Sequence, residues 1–494
     1  MLRKTKIICT LGPATDDPKI IHQMIKCGMN VARLNFSHGT HAEQLQRINM
    51  VREVRREMGK PVGILLDTKG PEVRIKTFEE DKIFLEEGQL FTLTTREVKG
   101  TNEIVSITYD GLPADVEIGT RILIDDGLIE MIVENLTETD IICRVKNKGP
   151  LSNRKSINVP GIRLNMPYIS EQDEKDIEFG CDQQVEFIAA SFARTAADMK
   201  QLKAILRRKH MLGRIRIIAK IENREGYDNL EKILKEVDGI MVARGDMGVE
   251  IPFDQLPKIQ KEIIKKCINY GKIVITATQM LDSMTHNPRP TRAEVSDVAN
   301  AVYDGTGAVM LSGETSVGKY PVETLMAMSK ICLNTEANIK YGKRRRKQLE
   351  DNAKFVGDPM TIGIAGATVS TAERLDCAAI VALTASGHSA NAVSRFRPEK
   401  PVIGATYTED TFHRLALSWG VVPAMCHHQP TDVMLFAEAC RAAIQTGVCH
   451  PEDMLILTAG MPVGQSKYTN TMRIFHVTEE DYNSYKNWMP VVNG

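Results

Sequence analysis

The chain has 494 residues, 43% hydrophobic and 26% charged, with 63 Lys plus Arg against 63 Asp plus Glu. One hydrophobic core stops growing near ~250–300 residues, so two or three domains are expected. A net charge of zero excludes a global field that would draw the protein onto nucleic acid or a membrane, so any anion site must be a local cluster. No apolar run approaches the ~18 residues of a spanning helix, and Met1 to Lys6 lack the apolar stretch of a signal peptide. The ten cysteines are scattered without a CxxC pair. They read as small buried hydrophobes in a reducing compartment, not as a disulfide frame or zinc site, and a cytoplasmic protein is expected.

Along the chain, Val- and Ile-rich runs of strand length alternate with helix-length segments up to about residue 335. The strand candidates are Thr5–Thr10, Val31–Asn35, Val62–Asp67, Glu186–Phe192, Ile215–Ile221, Gly239–Arg244, Ile273–Thr278 and Gly307–Ser312. Continuous apolar runs of this kind are parallel strands buried on both faces. Eight of them close a (β/α)8 TIM barrel more readily than an open sheet. From Pro71 to Met166 the rhythm breaks into short alternating runs such as Phe91–Thr95, Arg121–Ile124 and Leu128–Val133, with Glu87-Gly88, Asp110-Gly111 and Asp126-Gly127 as turns. This predicts a small all-β domain inserted in a loop at the catalytic face, placed to act as a lid. After the basic run Lys343-Arg344-Arg345-Arg346-Lys347, read as a solvated helix face or linker rather than a nucleic-acid patch, strands Ala379–Thr384, Val402–Ala405 and Met454–Thr458 alternate with helices. A C-terminal doubly wound α/β domain is expected. The boundaries read as 1–70 and 167–340 for the barrel, 71–166 for the lid and 341–494 for the C-terminal domain.

Barrel chemistry sits just past the C-terminal strand ends. In this sequence nearly every end is polar: Asn35, Ser37 and His38 after the second strand with Arg33 just before, Asp67 and Thr68 at the third, Ser191 at the fourth. Then come Lys220 and Glu222, Arg244 to Asp246, Thr278 and Gln279, and Ser312 to Thr315. A single such residue is ordinarily a solvated loop residue, but eight ends on one rim make a polar site. Glu222 and Asp246 are carboxylates on neighbouring strands, a donor pair suited to Mg²⁺ with water and substrate oxygens completing the shell. Lys220, two residues before Glu222, points the same way and can neutralise charge on a transferring phosphoryl group. Gly245 and Asp246 can open a helix whose N–H groups bind a carboxylate or phosphate, and Arg33 can grip phosphate bidentately. Asn35, Ser37, Asp67 and Thr68 offer neutral oxygens with one full negative charge. That set matches a monovalent cation, or else ordinary strand-end hydrogen bonding. Neither GxxxxGK[ST] nor a strand followed by GxGxxG occurs, so a nucleotide would lie between rim and lid.

The segments Thr10-Leu11-Gly12-Pro13-Ala14, Arg33 to Gly39, Asp67-Thr68-Lys69-Gly70-Pro71-Glu72-Val73-Arg74, Ala219 to Asn223, Ala243 to Asp246, Asn287 to Glu294 and Met310 to Thr315 resemble the signature segments of the pyruvate kinases, in the same order and spacing. The resemblance implies phosphoryl transfer between phosphoenolpyruvate and ADP in glycolysis, with pyruvate and ATP as products. It implies Mg²⁺ (or Mn²⁺) on Glu222 and Asp246, and K⁺ on Asn35, Ser37, Asp67 and Thr68. Glu72 matches the acidic form of a position that goes with K⁺ dependence. Lys220 and Arg33 would act on the phosphoryl group, Gly245 and Thr278 would hold the substrate carboxylate, and Thr278 would serve the proton relay. His38, Arg74 and Lys155 would reach the nucleotide, and a homotetramer is implied.

In the C-terminal domain, Thr384-Ala385-Ser386-Gly387-His388-Ser389 follows a strand and opens a helix. It is expected to hold the phosphate of a sugar-phosphate or nucleotide effector, or else to be a structural turn. His388, and the absence of arginine from Gly460 to Lys467, depart from bisphosphate-responsive relatives. Thr291-Arg292-Ala293-Glu294 reads as a capping box. Two rival functions stand beside the kinase: a barrel lyase or aldolase acting on pyruvate enolates, which needs no lid, and a non-catalytic metabolite sensor, which would have lost Lys220, Glu222, Asp246 or Thr278.

Overall fold

The computed structural model describes residues 2–344, 355–428, 431–462 and 468–486. Eight strands close a barrel: β1 (Lys6–Thr10), β2 (Val31–Asn35), β3 (Gly63–Asp67), β4 (Phe187–Ala190), β5 (Arg216–Ile221), β6 (Gly239–Ala243), β7 (Ile273–Ala277) and β8 (Ala308–Leu311). Each pairs in parallel with its sequence neighbours, and β1 closes on β8 with Lys6 opposite Ala308. β1, β3, β4, β6 and β8 are buried at every residue. That is why they read as unbroken apolar runs: helices cover the outer face while side chains fill the inside. The inner face carries Ile8, Val31, Leu65, Phe187, Ile218, Met241, Ile275 and Met310. Leu417 from the C-terminal domain joins the same cluster, fully buried, and so plugs the bottom of the barrel. Burying one such side chain stabilises the fold by ~1.5–3 kcal/mol.

The insertion between β3 and β4 forms its own core, including Phe91, Leu93, Ile122, Ile124, Met131 and Val133. Its strands alternate as expected of a sheet with one covered face. In Asp140–Val145, every second residue is buried. In the C-terminal domain five strands order as β11 (Val421–Met425), β10 (Val402–Thr406), β9 (Ala379–Leu383), β12 (Met454–Ala459) and β13 (Thr471–His476), all parallel except β13. Separate clusters around Ala439 and Val369 show that both faces of this sheet are covered.

Local signals read from sequence recur as geometry. Thr291 accepts the Glu294 N–H and Glu294 reaches back to the Thr291 N–H, starting helix Arg292–Asp304. Of the basic run, Arg344 packs back onto the barrel, donating to the carbonyls of Tyr303 and Asp304 at 2.8 and 2.7 Å. It is therefore not a freely solvated residue, because those C-terminal carbonyls of the helix need donors. Arg345 to Lys347 and Val463 to Lys467 lie outside the described residues.

Candidate active site

The C-terminal ends of β2, β3, β4 and β5 bring five polar side chains into one buried network. Arg33 Nε donates to Asp67 Oδ2 at 2.6 Å and its Nη1 to Thr10 Oγ1 at 2.9 Å. Lys220 Nζ lies 3.1 Å from Asp67 Oδ1, 2.8 Å from Ser191 Oγ and 3.0 Å from Glu222 Oε1. Asp67 is fully buried and Glu222 is 1% exposed. Burial alone opposes ionisation of Asp67, but Arg33 and Lys220 outweigh it and hold the carboxyl below its usual range. Burial likewise opposes charge on Lys220, and Asp67 and Glu222 reverse that, raising its pKa. The product is a pair of permanent cations fixed on an anionic pivot, ready to receive a phosphate.

Glu222 behaves differently. Burial, followed by the like charge of Asp246, pushes its carboxyl up to about 7 despite Lys220 and the Phe192 N–H at 2.5 Å. A buried carboxylate whose proton affinity is raised by a second carboxylate beside it forms a site where a divalent cation can relieve repulsion. With only two carboxylates and open space beside them, Mg²⁺ fits, since it keeps several water or substrate oxygens. Asp246 stands in the first turn of helix Arg244–Glu250. It borders a cavity of about 470 Å³ between rim and lid, together with Glu72, Asn158, Phe192 and Asn223.

Next to this network, Thr278 Oγ1 accepts the Gly245 N–H at 2.8 Å and donates to the Ala277 carbonyl at 2.6 Å. Thr278 and Gln279 have φ of 66° and 52°, a conformation that is costly for a β-branched residue. Arg244 holds the turn by donating to the carbonyls of Ala277 and Thr278, with Asp297 as its counter-ion at 2.7 Å. The strain sits at the C-terminal end of β7, beside the Gly245 N–H.

Asn35 pairs in register with Asp67, Phe36 N–H donates to the Asp67 carbonyl, and Asn35 Oδ1 accepts the Ser37 N–H at 3.2 Å. Thr68 Oγ1 accepts the Ser191 N–H at 3.2 Å. Asn35, Ser37, Asp67 and Thr68 thus stand together at the adjoining ends of β2 and β3. Three predicted nucleotide contacts lie apart from the buried network. His38 is exposed on the rim. Arg74 pairs with Glu72 at 2.7 Å and Lys155 with Asp125 at 2.8 Å, on adjacent lid strands where Ile75 N–H donates to the Lys155 carbonyl.

Sequence reading named Ser191 as a strand end but gave it no role. It ties Lys220, Asp67 and the Thr68 carbonyl together, and its position at the end of β4 was the available signal. Thr10, which receives Arg33, was missed in the same way.

In the C-terminal domain, Thr384 Oγ1 accepts the Gly387 N–H at 2.9 Å, and Gly387 adopts φ of 89°, so glycine suits the turn. Ser389 Oγ receives Thr469 Oγ1 at 2.8 Å. A cavity of about 410 Å³ opens beside Thr384, Ser386, His388 and Ser389.

Residues 2–325 match the family described as pyruvate kinase, barrel domain, and residues 363–475 match pyruvate kinase, alpha/beta domain. The chain is 47% identical over 481 residues to a pyruvate kinase of Geobacillus stearothermophilus, covering 97% of this chain and 81% of the relative. It is 46% identical over the same span to those of Staphylococcus epidermidis and Staphylococcus aureus, with the same coverage. With both family domains present around a rim of this chemistry, the chain belongs to the pyruvate kinase family.

Proposed function

We propose that the buried Arg33–Asp67–Lys220–Glu222 network is the phosphoryl-transfer centre of this chain. As a member of its family the chain is a phosphotransferase that moves the phosphoryl group of phosphoenolpyruvate to ADP, giving pyruvate and ATP. The lyase and sensor alternatives fall with that membership. One observation carries the site assignment: two cations are fixed on one buried carboxylate, with the Glu222 carboxyl, raised by burial and by Asp246, beside them.

Arg33 would hold the phosphate through its fork of donors, and Lys220 would meet charge as it develops on the transferring group. Both are already oriented by Asp67, so little reorganisation accompanies reaction. Gly245 N–H and Thr278 would receive the substrate carboxylate. The Thr278 hydroxyl proton, now given to the Ala277 carbonyl, would turn toward the enolate carbon's proton relay. Glu222 and Asp246 would hold Mg²⁺, which when bound screens the charge between two anionic substrates. Asn35, Ser37, Asp67 and Thr68 would hold K⁺. His38, Arg74 and Lys155 would contact the nucleotide once the lid domain, residues 71–166, closes over the barrel of residues 1–70 and 167–340. No helix among the described residues is long and apolar enough to cross a membrane. A homotetramer, and a sugar-phosphate or nucleotide effector beside Thr384 to Ser389 in the domain of residues 341–494, complete the proposal.

The test is pyruvate formation from phosphoenolpyruvate and ADP with Mg²⁺, in K⁺ or in Na⁺. Rapid turnover in K⁺ that falls in Na⁺ is expected, and a charge reversal at Glu72 should reduce that difference. Equal turnover in both salts would overturn the cation site.

A further inference from the structure

Ser191 follows β4 and is 1% exposed. Its Oγ lies 2.6 Å from the Thr68 carbonyl, 2.8 Å from Lys220 Nζ and 3.2 Å from Asp67 Oδ1. A hydroxyl has one proton, and the shortest of these contacts, to the Thr68 carbonyl, takes it; a lone pair is left for the lysine. The Ser191 N–H returns to Thr68 Oγ1 at 3.2 Å, so the two residues hold each other through side chain and backbone.

The backbone under this hydroxyl is fixed from three sides. Phe192, next in the chain, has φ of 51° and gives its N–H to Glu222 Oε2. Such a turn persists only where its surroundings over-determine it. Tyr168 Oη donates to the Ser191 carbonyl at 3.2 Å. Gly70 has φ of 75°, and a Cβ there would lie 2.8 Å from the Ser191 Cβ, so the chain can pass only as glycine. Gly70 and Tyr168 stand at the two connections between the barrel and the inserted domain.

The Lys220 ammonium has three protons and three acceptors among the described residues: Asp67 Oδ1, Ser191 Oγ and Glu222 Oε1. Both carboxylates have other claims, since Asp67 also holds Arg33 and Glu222 also receives the Phe192 N–H. Each also brings a negative charge that opposes an incoming phosphate. Ser191 makes the shortest of the three contacts and is the neutral acceptor among them. It fixes where the ammonium points without cancelling its charge.

We propose that Ser191 is a positioning residue for phosphoryl transfer: its hydroxyl ties Lys220 Nζ to the Thr68 carbonyl, so the monovalent-cation donors and the ammonium are set by one hydrogen-bond chain. This rests on the proposed function, in which Lys220 meets the phosphoryl group and Thr68 belongs to the K⁺ set. Arg33 and the Gly245 N–H carry the binding of the substrate's phosphate and carboxylate, so substrate affinity depends little on Ser191. The transfer step, and its response to K⁺, depend on it strongly.

The test is steady-state turnover of wild type and Ser191→Ala with Mg²⁺, in KCl and in NaCl. Phosphoenolpyruvate affinity is measured separately, by calorimetry without ADP. In KCl, kcat of Ser191→Ala should fall about tenfold or more. Its phosphoenolpyruvate dissociation constant should stay within about threefold of wild type, with the melting temperature held within a few degrees. In NaCl the fall in kcat should be much smaller, so the ratio of turnover in the two salts shrinks about fivefold or more. Ser191→Cys, similar in size with a weaker donor and acceptor, should lie between wild type and Ser191→Ala, and it carries the same test if Ser191→Ala is unstable. Undiminished kcat in KCl, an equal fall in both salts, or a loss of phosphoenolpyruvate affinity that matches the loss of kcat would overturn the proposal alone. A wild type with equal turnover in both salts would overturn it together with the cation site.

Discussion

Two lysines on the inner face of the same barrel have opposite fates. Lys220, two residues from Ile218 near the top of β5, is flanked by Asp67 and Glu222, and its pKa is raised. Lys6, two residues from Ile8 at the bottom of β1, is 5% exposed, and its Nζ donates to the Val421 carbonyl at 2.7 Å. Burial lowers its pKa to about 7. Depth in a low-dielectric interior therefore does not decide charge; the partners do. At the top, Arg33 and Lys220 are held by carboxylates. At the bottom, Lys6 meets a backbone carbonyl of the C-terminal domain instead, and packs one domain against another.

The largest expected effect comes from removing the anionic pivot at the top. Asp67→Asn leaves Arg33 and Lys220 facing each other without a buried counter-charge. Loss of ~3–5 kcal/mol in urea unfolding is expected, together with loss of turnover. Leu417→Ala probes the bottom: it opens the plug in the barrel interior and should cost about 3 kcal/mol, with kcat retained because the rim is untouched. Equal damage to kcat would show that the two ends are not separable.

Lys6→Met comes next. In wild type the native Lys6 pKa lies near 7 and the unfolded value at 10.5. The unfolded state thus binds more protons between those limits, and wild-type stability rises with pH across that window. The penalty is full below pH 7 and gone above pH 10.5, so Lys6→Met should be more stable than wild type at pH 6 and lose that advantage toward pH 10. Urea midpoints at several pH values would show it. Thr291→Ala is expected to be smallest, about 1 kcal/mol from the lost helix cap, measurable as a lower melting temperature.

Most of the top of the barrel was legible in sequence because a strand end is a local event. An apolar run that stops at a charged residue marks both the strand and its chemistry, as at Asp67, Lys220 and Glu222. Ser191 was visible as an end but not as the hinge of the network, since its partners Asp67 and Lys220 come from two other strands. The bottom was not legible. Arg395 and Arg414 look like ordinary surface residues of helical segments, and Leu417 like a core residue of its own domain. Only the packing of one domain on another gives the arginines barrel carbonyls as acceptors and makes the leucine a plug. Arg344 shows the same limit: its run reads as a linker, yet two helix carbonyls claim its side chain.

On the proposed function, identical lysines in one barrel serve catalysis or packing according to their partners. This is tested most directly by measuring steady-state turnover and the urea midpoint of Lys220→Met and Lys6→Met side by side. Lys220→Met is expected to lose kcat on the order of a thousandfold while remaining folded, and Lys6→Met to keep kcat and gain stability at pH 6. Turnover that survives in Lys220→Met, or collapses equally in both, would contradict it.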